Sequence, residues 1–179
     1  MKLIILDRDG VINYDSDNYI KSVEEFIPLP GSLEAIAALN SAGYRIAIAT
    51  NQSGISRGYY DIDTLDAMHK KLASELEKVG GHIDYIAYCP HGPDDHCSCR
   101  KPLSGMLEKI AQHFDTELSG VPVVGDSLRD LQSAQTVGAS PMLVKTGKGE
   151  RTITKEEGIE GIPVFADLAA AAAHLIEKN

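Results

Sequence analysis

Two aspartates separated by a single residue are the first sign of chemistry in this sequence. Asp7 and Asp9 follow the apolar run at 3–6 and precede Gly10. Adjacent carboxylates repel each other unless a cation or a proton is shared between them. Mg²⁺ is a hard ion that binds one or two carboxylates together with phosphate oxygens and water. The pair therefore predicts a magnesium site that supports phosphate chemistry.

Further polar groups follow other predicted strands. Thr50 offers a hydroxyl, Lys101 offers a cation, and Asp126 with Asp130 supplies more carboxylates. The backbone amides of residues 51–54 could bind anionic oxygens. A nucleophile, metal ligands, hydroxyl and amide donors and a lysine are together what phosphoryl transfer requires. Polar residues at strand ends are also common turn formers, so each alone indicates little, but several at one crevice favour a shared site.

Short aliphatic runs alternate with helical patterns along the chain. Runs without polar alternation are typical of buried parallel strands; we expect these at 3–6, 46–49, 83–88, 121–124, 142–144 and 164–165. Apolar spacing predicts helices at 32–42, 63–79, 102–114 and 128–137, and the alanine run 169–173 predicts a last helix. The alternation predicts an α/β fold: a doubly wound, Rossmann-like parallel sheet with helices on both faces. In such sheets ligands bind beyond the carboxyl ends of the strands.

Composition limits the class of protein. The 179 residues are 43% hydrophobic and 24% charged, without internal repeats, and we expect one domain spanning 1–179. Acidic residues outnumber basic ones by 26 to 17, and no basic stripe is visible, which disfavours a nucleic-acid partner. The apolar runs are too short for a signal sequence or a membrane span. We therefore expect a cytoplasmic, monomeric protein that acts on a small molecule.

Three cysteines and a histidine lie close together in the chain. Cys89, His91, Cys97 and Cys99 suit tetrahedral Zn²⁺, and four protein ligands leave no open position, so the site should be structural. His96 is a competing imidazole, but it adjoins Cys97 and would strain the chelate. Reduced surface cysteines, or a redox-reactive loop without metal, are the alternatives. We expect a zinc-binding loop inserted after the third strand.

Four motifs in order resemble the haloacid dehalogenase superfamily of aspartate-nucleophile phosphatases. They are DRDG at 7–10, TNQSG at 50–54, RKP at 100–102 and GDSLRD at 125–130. Within this superfamily, TNQSGISRG at 50–58 and the cysteine-rich segment at 89–102 resemble the heptose-bisphosphate branch. That resemblance implies removal of the C7 phosphate from a sugar bisphosphate, with the anomeric phosphate retained.

The resemblance also implies roles for individual residues. Asp7 would attack phosphorus and become an aspartyl phosphate, which divides hydrolysis into two displacements. Asp9 would protonate the departing sugar oxygen and then deprotonate the attacking water. The carboxylates of Asp7 and Asp126 and the backbone carbonyl of Asp9 would hold Mg²⁺. Thr50 and Lys101 would hold the phosphoryl oxygens.

Substrate recognition is expected from short loops, because the segments after Asp9 and Thr50 are too short for a large cap domain. The loops are 13–18, 53–58 and the zinc loop. Asp130 should partner either the metal or Lys101. Because the chain is acidic, local cations must reverse the sign of charge at the crevice mouth. The candidate substrate-binding residues are Asp15, Ser16, Asp17, Asn18, Asn51, Gln52, Ser53, Arg57, Arg100 and Ser127.

Three other functions compete with this one. A histidinol-phosphate phosphatase shares the aspartate chemistry and a similar zinc loop, but Ser53 and the Arg57-Gly58 pair favour the heptose branch. A catalytically silent, zinc-stabilised binding domain would not need the intact aspartate, threonine and lysine set. A DNA-end 3′-phosphatase shares the DRDG chemistry, but the acidic balance disfavours it.

Overall fold

A six-stranded parallel sheet forms the centre of the protein, for which the computed structural model describes residues 1–178. Its strands are β1 (Lys2–Leu6), β2 (Tyr44–Asn51), β3 (Tyr85–Cys89), β4 (Pro122–Gly125), β5 (Ser140–Val144) and β6 (Val164–Phe165). The spatial order is β3-β2-β1-β4-β5-β6, and every neighbouring pair is parallel. The predicted doubly wound α/β fold is confirmed, including its short sixth strand.

Helices cover both faces of the sheet. They are α1 (Ser32–Ser41), α2 (Ile62–Lys78), α3 (Gly105–Phe114), α4 (Leu128–Thr136), α5 (Gly149–Lys155) and α6 (Leu168–Glu177). Alternate residues of a strand point to opposite faces. Accordingly, Ile4 and Leu6 join one core beneath α1, α2 and α6, and Leu3 and Ile5 join a second core with α3. The two buried faces explain why the strands are aliphatic without polar alternation.

One predicted helix begins later than expected, and one helix was not predicted. We expected the third helix to begin at 102, but α3 begins at Gly105 because residues 101–104 form a turn, with the Leu103 N–H bonded to the Arg100 carbonyl at 2.9 Å. Helix α5 was not expected, because GERTITK carries no apolar residues at helical spacing. Its one buried side chain, Thr152, instead donates a hydrogen bond to the Asp126 carbonyl at 2.8 Å. A long-range polar contact therefore anchors this helix.

The strand order changes direction between β1 and β4. Chain connections leave β1 towards β2 on one side and β4 lies on the other, so the loops after β1 and β4 diverge and open a crevice. Leu6 is in register with Val124, and the Asp7 N–H donates to the Val124 carbonyl at 2.9 Å. Asp7 and Asp126 therefore leave the sheet side by side at the carboxyl edge.

The connections next to the crevice are loops. Residues 7–31 join β1 to α1, and residues 52–61 join β2 to α2, without a large cap domain in the described part of the chain. None of the helices within residues 1–178 is both long enough and apolar enough to cross a bilayer. Access to the crevice is therefore shaped by short loops, as expected from the sequence.

Candidate active site

A polar cavity of about 190 Å³ lies at the crevice between β1 and β4. It is lined by most of the predicted site residues: Asp7, Asp9, Asp15, Ser16, Asp17, Asn51, Gln52, Ser53, Arg100, Lys101, Asp126 and Ser127. Five residues that the sequence did not single out also line it: Tyr19, Ile20, Tyr60, Arg129 and Lys148. The predicted Asn18, Thr50 and Arg57 are not among the lining residues, although Thr50 lies immediately beneath it, bonded to Gln52.

Lys101 joins two of the carboxylates at the base of the cavity. Its Nζ lies 3.1 Å from Asp7 Oδ1 and 2.7 Å from Asp130 Oδ1. Lys101 is 5% exposed and Asp130 is 2% exposed, so the ion pairs are buried. Burial alone would lower the pKa of Lys101, but Asp130 and Asp7 together raise it above its usual value. The lysine is therefore a permanent cation beside the predicted nucleophile.

Asp126 occupies a close cradle of backbone. A side chain at either Gly10 or Gly147 would collide with the Asp126 carboxylate, and both glycines have positive φ, which L side chains rarely adopt. The Lys148 N–H donates to Asp126 Oδ2 at 2.8 Å. The DRDG loop and the α5 loop thus meet around this carboxylate, and only glycine permits that approach.

The three carboxylates form a cluster that suits a hard divalent cation. One oxygen each of Asp7, Asp126 and Asp130 lies within 4.8 Å of the others. Burial, with repulsion from Asp130, raises the pKa of Asp7 to about 7, and burial, with repulsion from Asp7, raises the pKa of Asp126 well above its usual value. Groups that resist ionisation together in this way are stabilised by a shared cation. Oxygen-only donors of this kind fit Mg²⁺.

Asp130 is occupied by protein donors. Lys101 contacts its Oδ1, and its Oδ2 accepts the N–H of Asp126 at 3.2 Å and the N–H and hydroxyl of Ser127 at 3.1 and 3.0 Å. Burial would raise the pKa of Asp130, but Lys101 and the Ser127 donors hold it below the usual range. Of the two roles expected for Asp130, the contacts favour partnership with Lys101. Ser127 lines the cavity, but its hydroxyl is directed to Asp130.

Asp9 is held on several sides. Its Oδ1 accepts from Arg8 Nε at 3.0 Å, Arg8 Nη2 at 2.6 Å and Asn13 Nδ2 at 2.8 Å, and its Oδ2 accepts from Gln52 Nε2 at 3.0 Å. Burial would raise the pKa of Asp9, but the Arg8 guanidinium and these hydrogen bonds lower it below the usual range. Asp9 is therefore a carboxylate in this state. Arg8, which is fully buried, carries no signal in the sequence beyond its place in the motif.

Two residues predicted to bind substrate have their side chains engaged within the protein. Gln52 is 3% exposed; it donates to Thr50 Oγ1 at 2.9 Å as well as to Asp9, and it accepts from the Tyr60 hydroxyl. Asn51 binds the backbone of Lys101, accepting its N–H at 3.0 Å. These side chains fix the nucleophile loop and the lysine in place. Their direction depends on tertiary contacts that the sequence does not display.

The mouth of the cavity is crossed by two ion pairs. Asp17 pairs with Arg151 of α5 at 2.9 Å, and Asp15 approaches Lys148 at 3.5 Å. The Asp17–Arg151 pair is largely exposed, so its stability is small. Arg129 lines the cavity without an ion pair in residues 1–178. The mouth thus brings cations from the α4–α5 side towards the predicted sugar-binding loop.

The predicted zinc ligands are brought together in part. Sulfur atoms of Cys89, Cys97 and Cys99 lie within 4.8 Å of one another, with 3.7 Å between those of Cys89 and Cys97. The His91 imidazole is not part of that group, but the His91 carbonyl accepts a hydrogen bond from Arg100 at 3.2 Å. The loop therefore combines a thiol cluster with an anchor for a cation that lines the cavity.

A carboxylate paired with a buried lysine, at the switch point of a parallel sheet and with further carboxylates beside it, defines a phosphatase of the haloacid dehalogenase class. Comparison with known proteins agrees. A HAD-hydrolase-like family model matches residues 98–171, and a model described as polynucleotide kinase 3 phosphatase matches residues 2–132.

Curated relatives define the family more narrowly. The chain is 58% identical to D-glycero-beta-D-manno-heptose-1,7-bisphosphate 7-phosphatase of Pseudomonas putida, over 98% of this chain and all of the relative. It is 56% identical to the enzyme of that name from Pseudomonas aeruginosa, over 98% of each. The crystal structure of D,D-heptose 1,7-bisphosphate phosphatase from B. bronchiseptica, complexed with magnesium and phosphate, superposes with a TM-score of 0.98 at 54% identity, covering both chains fully. The chain belongs to this family of heptose-bisphosphate phosphatases.

Proposed function

We propose that this protein removes the C7 phosphate of D-glycero-beta-D-manno-heptose 1,7-bisphosphate through an aspartyl-phosphate intermediate. The single observation that carries the reaction type is the pairing of Asp7 with the buried ammonium of Lys101, at the base of a polar cavity. The substrate follows from relatives of that name, which match the whole chain. The product would be a heptose 1-phosphate, a precursor of nucleotide-activated heptose for the lipopolysaccharide core.

The chain's own residues divide the work of the reaction. Asp7 attacks phosphorus, and Asp9, which must first take up a proton from solvent, gives that proton to the sugar oxygen as the bond from this oxygen to phosphorus breaks. Asp9 then takes a proton from the water that attacks the aspartyl phosphate, which releases inorganic phosphate and regenerates Asp7. Lys101 and Thr50 hold the phosphoryl oxygens, and Asp130 keeps Lys101 in position through the 2.7 Å ion pair.

Magnesium would be held by the carboxylates of Asp7 and Asp126 and by the backbone carbonyl of Asp9. The fit is supported by the cluster of carboxylates and by the glycine cradle around Asp126. When bound, Mg²⁺ supplies positive charge that offsets the phosphoryl group and the carboxylates. Asp130, whose oxygens already accept from Lys101 and Ser127, would stay outside the metal's ligands.

The rest of the substrate would lie against the cavity mouth. Asp15, Ser16 and Asp17 line the cavity and could accept hydrogen bonds from sugar hydroxyls, whereas Arg100 offers its charge to the second phosphate. Ser53 and Ser127 also line the cavity. Asn18 and Arg57 would reach the substrate only from the rim, and Asn51 and Gln52 would act through the groups they hold.

A structural zinc site in the loop at 89–99 is part of this proposal. Three thiols within 4.8 Å of one another are a donor set suited to Zn²⁺, and His91 is the proposed fourth ligand. Such a site would fix the backbone that precedes Arg100 and Lys101. It leaves the phosphoryl chemistry to Asp7, Asp9 and Asp126.

The test compares substrates and locates the phosphate that is lost. We expect the highest kcat/KM for the heptose bisphosphate, with lower values for histidinol phosphate, an aryl phosphate and a 3′-phosphorylated oligonucleotide. Phosphorus NMR of the product should show the anomeric phosphate retained. Release of the anomeric phosphate, or a preference for histidinol phosphate, would refute the substrate assignment while leaving the reaction type intact.

A further inference from the structure

Arg8 lies between the two reactive aspartates but points away from the cavity. Its guanidinium is completely buried. It stacks over the Phe26 ring at 5.1 Å, and its Nη1 lies 3.6 Å from Met68 Sδ and 3.5 Å from His69 Nε2. Burying a cation costs several kcal/mol unless it is paired and hydrogen-bonded. Among residues 1–178, the buried Arg8 guanidinium has one charged partner, which is Asp9.

The two oxygens of Asp9 are not equivalent. Oδ1 accepts three donors, two from Arg8 and one from Asn13, whereas Oδ2 accepts one, from Gln52. A carboxylate oxygen offers about two lone-pair sites. Oδ1 is therefore saturated, and a proton could reach it only by displacing Arg8 or Asn13. Oδ2 retains a site for a proton.

The partners of Arg8 keep this arrangement rigid. Burial lowers the pKa of His69 to about 4, with the Arg8 charge adding to the effect, so the imidazole is neutral and can accept from the guanidinium. Met68 and His69 belong to α2, and Phe26 belongs to the β1–α1 loop. The position of Asp9 is thus tied to two elements outside the catalytic loop.

We propose that Arg8 is a positioning residue that occupies Asp9 Oδ1 and so directs proton transfer to Oδ2. Asp9 enters the reaction protonated on Oδ2, with a proton taken from solvent. In the first step this proton passes to the leaving alkoxide as its bond to phosphorus breaks and the bond from Asp7 forms. In the second step Oδ2 receives a proton from the attacking water as the aspartyl phosphate bond breaks. The inference rests on the proposed phosphatase reaction but not on the identity of the sugar.

The test uses two esters that differ in their need for a proton. Butyl phosphate has a poor leaving group and depends on proton donation, whereas p-nitrophenyl phosphate does not. The measured quantity is kcat/KM for butyl phosphate divided by kcat/KM for p-nitrophenyl phosphate. This ratio is informative because kcat/KM reports the step that forms the aspartyl phosphate. General acid catalysis contributes about 10²–10⁴-fold to a rate. We expect Arg8→Lys to lower the ratio by about 10²-fold, chiefly through butyl phosphate.

Two further variants keep the test decisive. Arg45→Lys makes the same change at an exposed position of β2 and should leave the ratio unchanged. Phe26→Leu retains Arg8 but removes the ring beneath it, and should lower the ratio by several-fold even if Arg8→Lys does not fold. An unchanged ratio in Arg8→Lys, or in Phe26→Leu where Arg8→Lys is unfolded, would overturn the proposal. Wild-type protein inactive on the heptose bisphosphate as well as on both esters would instead refute the phosphatase function.

Discussion

Lys101→Met tests the charge balance at the base of the site. The side chain keeps much of its volume but loses its charge, and the substitution leaves Asp7 and Asp130 facing each other without a cation. At an effective dielectric constant of about 20, the two contacts at 3.1 and 2.7 Å represent gross attractions of about 5 and about 6 kcal/mol. Desolvation of the ammonium offsets much of this sum. Removing one partner of a buried pair costs about 3–5 kcal/mol in measured cases.

We therefore expect Lys101→Met to lower the free energy of unfolding by about 3–5 kcal/mol in magnesium-free buffer. For a chain of this length, each kcal/mol corresponds to about 2–4 °C in Tm, so the midpoint should fall by about 10 °C. Adding Asp130→Asn should recover part of the loss, because the double variant removes one of the two unpaired charges. Denaturant titration and calorimetry measure both effects.

The matched control is Lys78→Met, which removes a lysine at the same 3.1 Å from a carboxylate, but in a pair with Glu75 that is exposed on α2. Exposed pairs contribute about 0–1 kcal/mol, so the control should scarcely change stability. A loss for Lys101→Met no greater than that of the control would refute the reasoning. It would mean that the buried ammonium does not hold the carboxylates together.

Three other perturbations probe separate parts of the molecule. Asp7→Asn should abolish turnover with the fold intact, and activity within about tenfold of wild type, or about 1.4 kcal/mol in the barrier, would contradict an aspartyl phosphate. Metal analysis should find about one Zn²⁺ per chain held through dialysis, and Cys97→Ser should reduce kcat/KM more for the bisphosphate than for an aryl phosphate, because Arg100 is displaced. Equal losses of kcat/KM for the two substrates would show that the loop only stabilises the fold. The pKa of His69 is about 4 in the folded protein and 6.5 in the unfolded chain, so the contribution of His69 to stability is present above pH 6.5 and lost as the pH falls. His69→Gln should therefore remove up to about 2 kcal/mol of the difference in unfolding free energy between pH 7.5 and pH 5.

The parts of the fold that could be predicted are those that depend on local patterns of apolar and polar residues in the sequence. Aliphatic runs followed by polar residues located four strand ends to within two residues, and parallel pairing brought Asp7 and Asp126 together as expected. Helix α5 was missed because its place depends on Thr152 binding the Asp126 carbonyl, a contact between distant segments. Its Lys148 end lines the cavity for the same reason, and no local pattern marked it.

Side-chain direction set a second limit on prediction. Residues 51–53 were correctly placed near the site, but the sequence does not reveal that Gln52 turns inwards to Asp9 and Thr50, locked by Tyr60. The structure also explains the glycine at position 54, because a side chain there would collide with the Tyr60 ring. Some polar residues of a catalytic motif are therefore placed to contact the substrate, and the others position those residues through hydrogen bonds.

The carboxylates of the site fall into two groups, which differ in whether a cation of the protein neutralises them. Asp9 is neutralised within the protein by Arg8, and Asp130 by Lys101. The remaining negative charge lies on Asp7 and Asp126. Burial raises the pKa of both, together with repulsion from Asp130 at Asp7 and from Asp7 at Asp126. This excess negative charge destabilises the free protein, and a divalent cation relieves it directly. Because the overall charge is −9, we expect an anionic substrate to be repelled at long range and attracted only near Lys101, Arg100 and the proposed cation. We therefore expect the same local excess of negative charge that lowers stability to make phosphate binding depend on the metal.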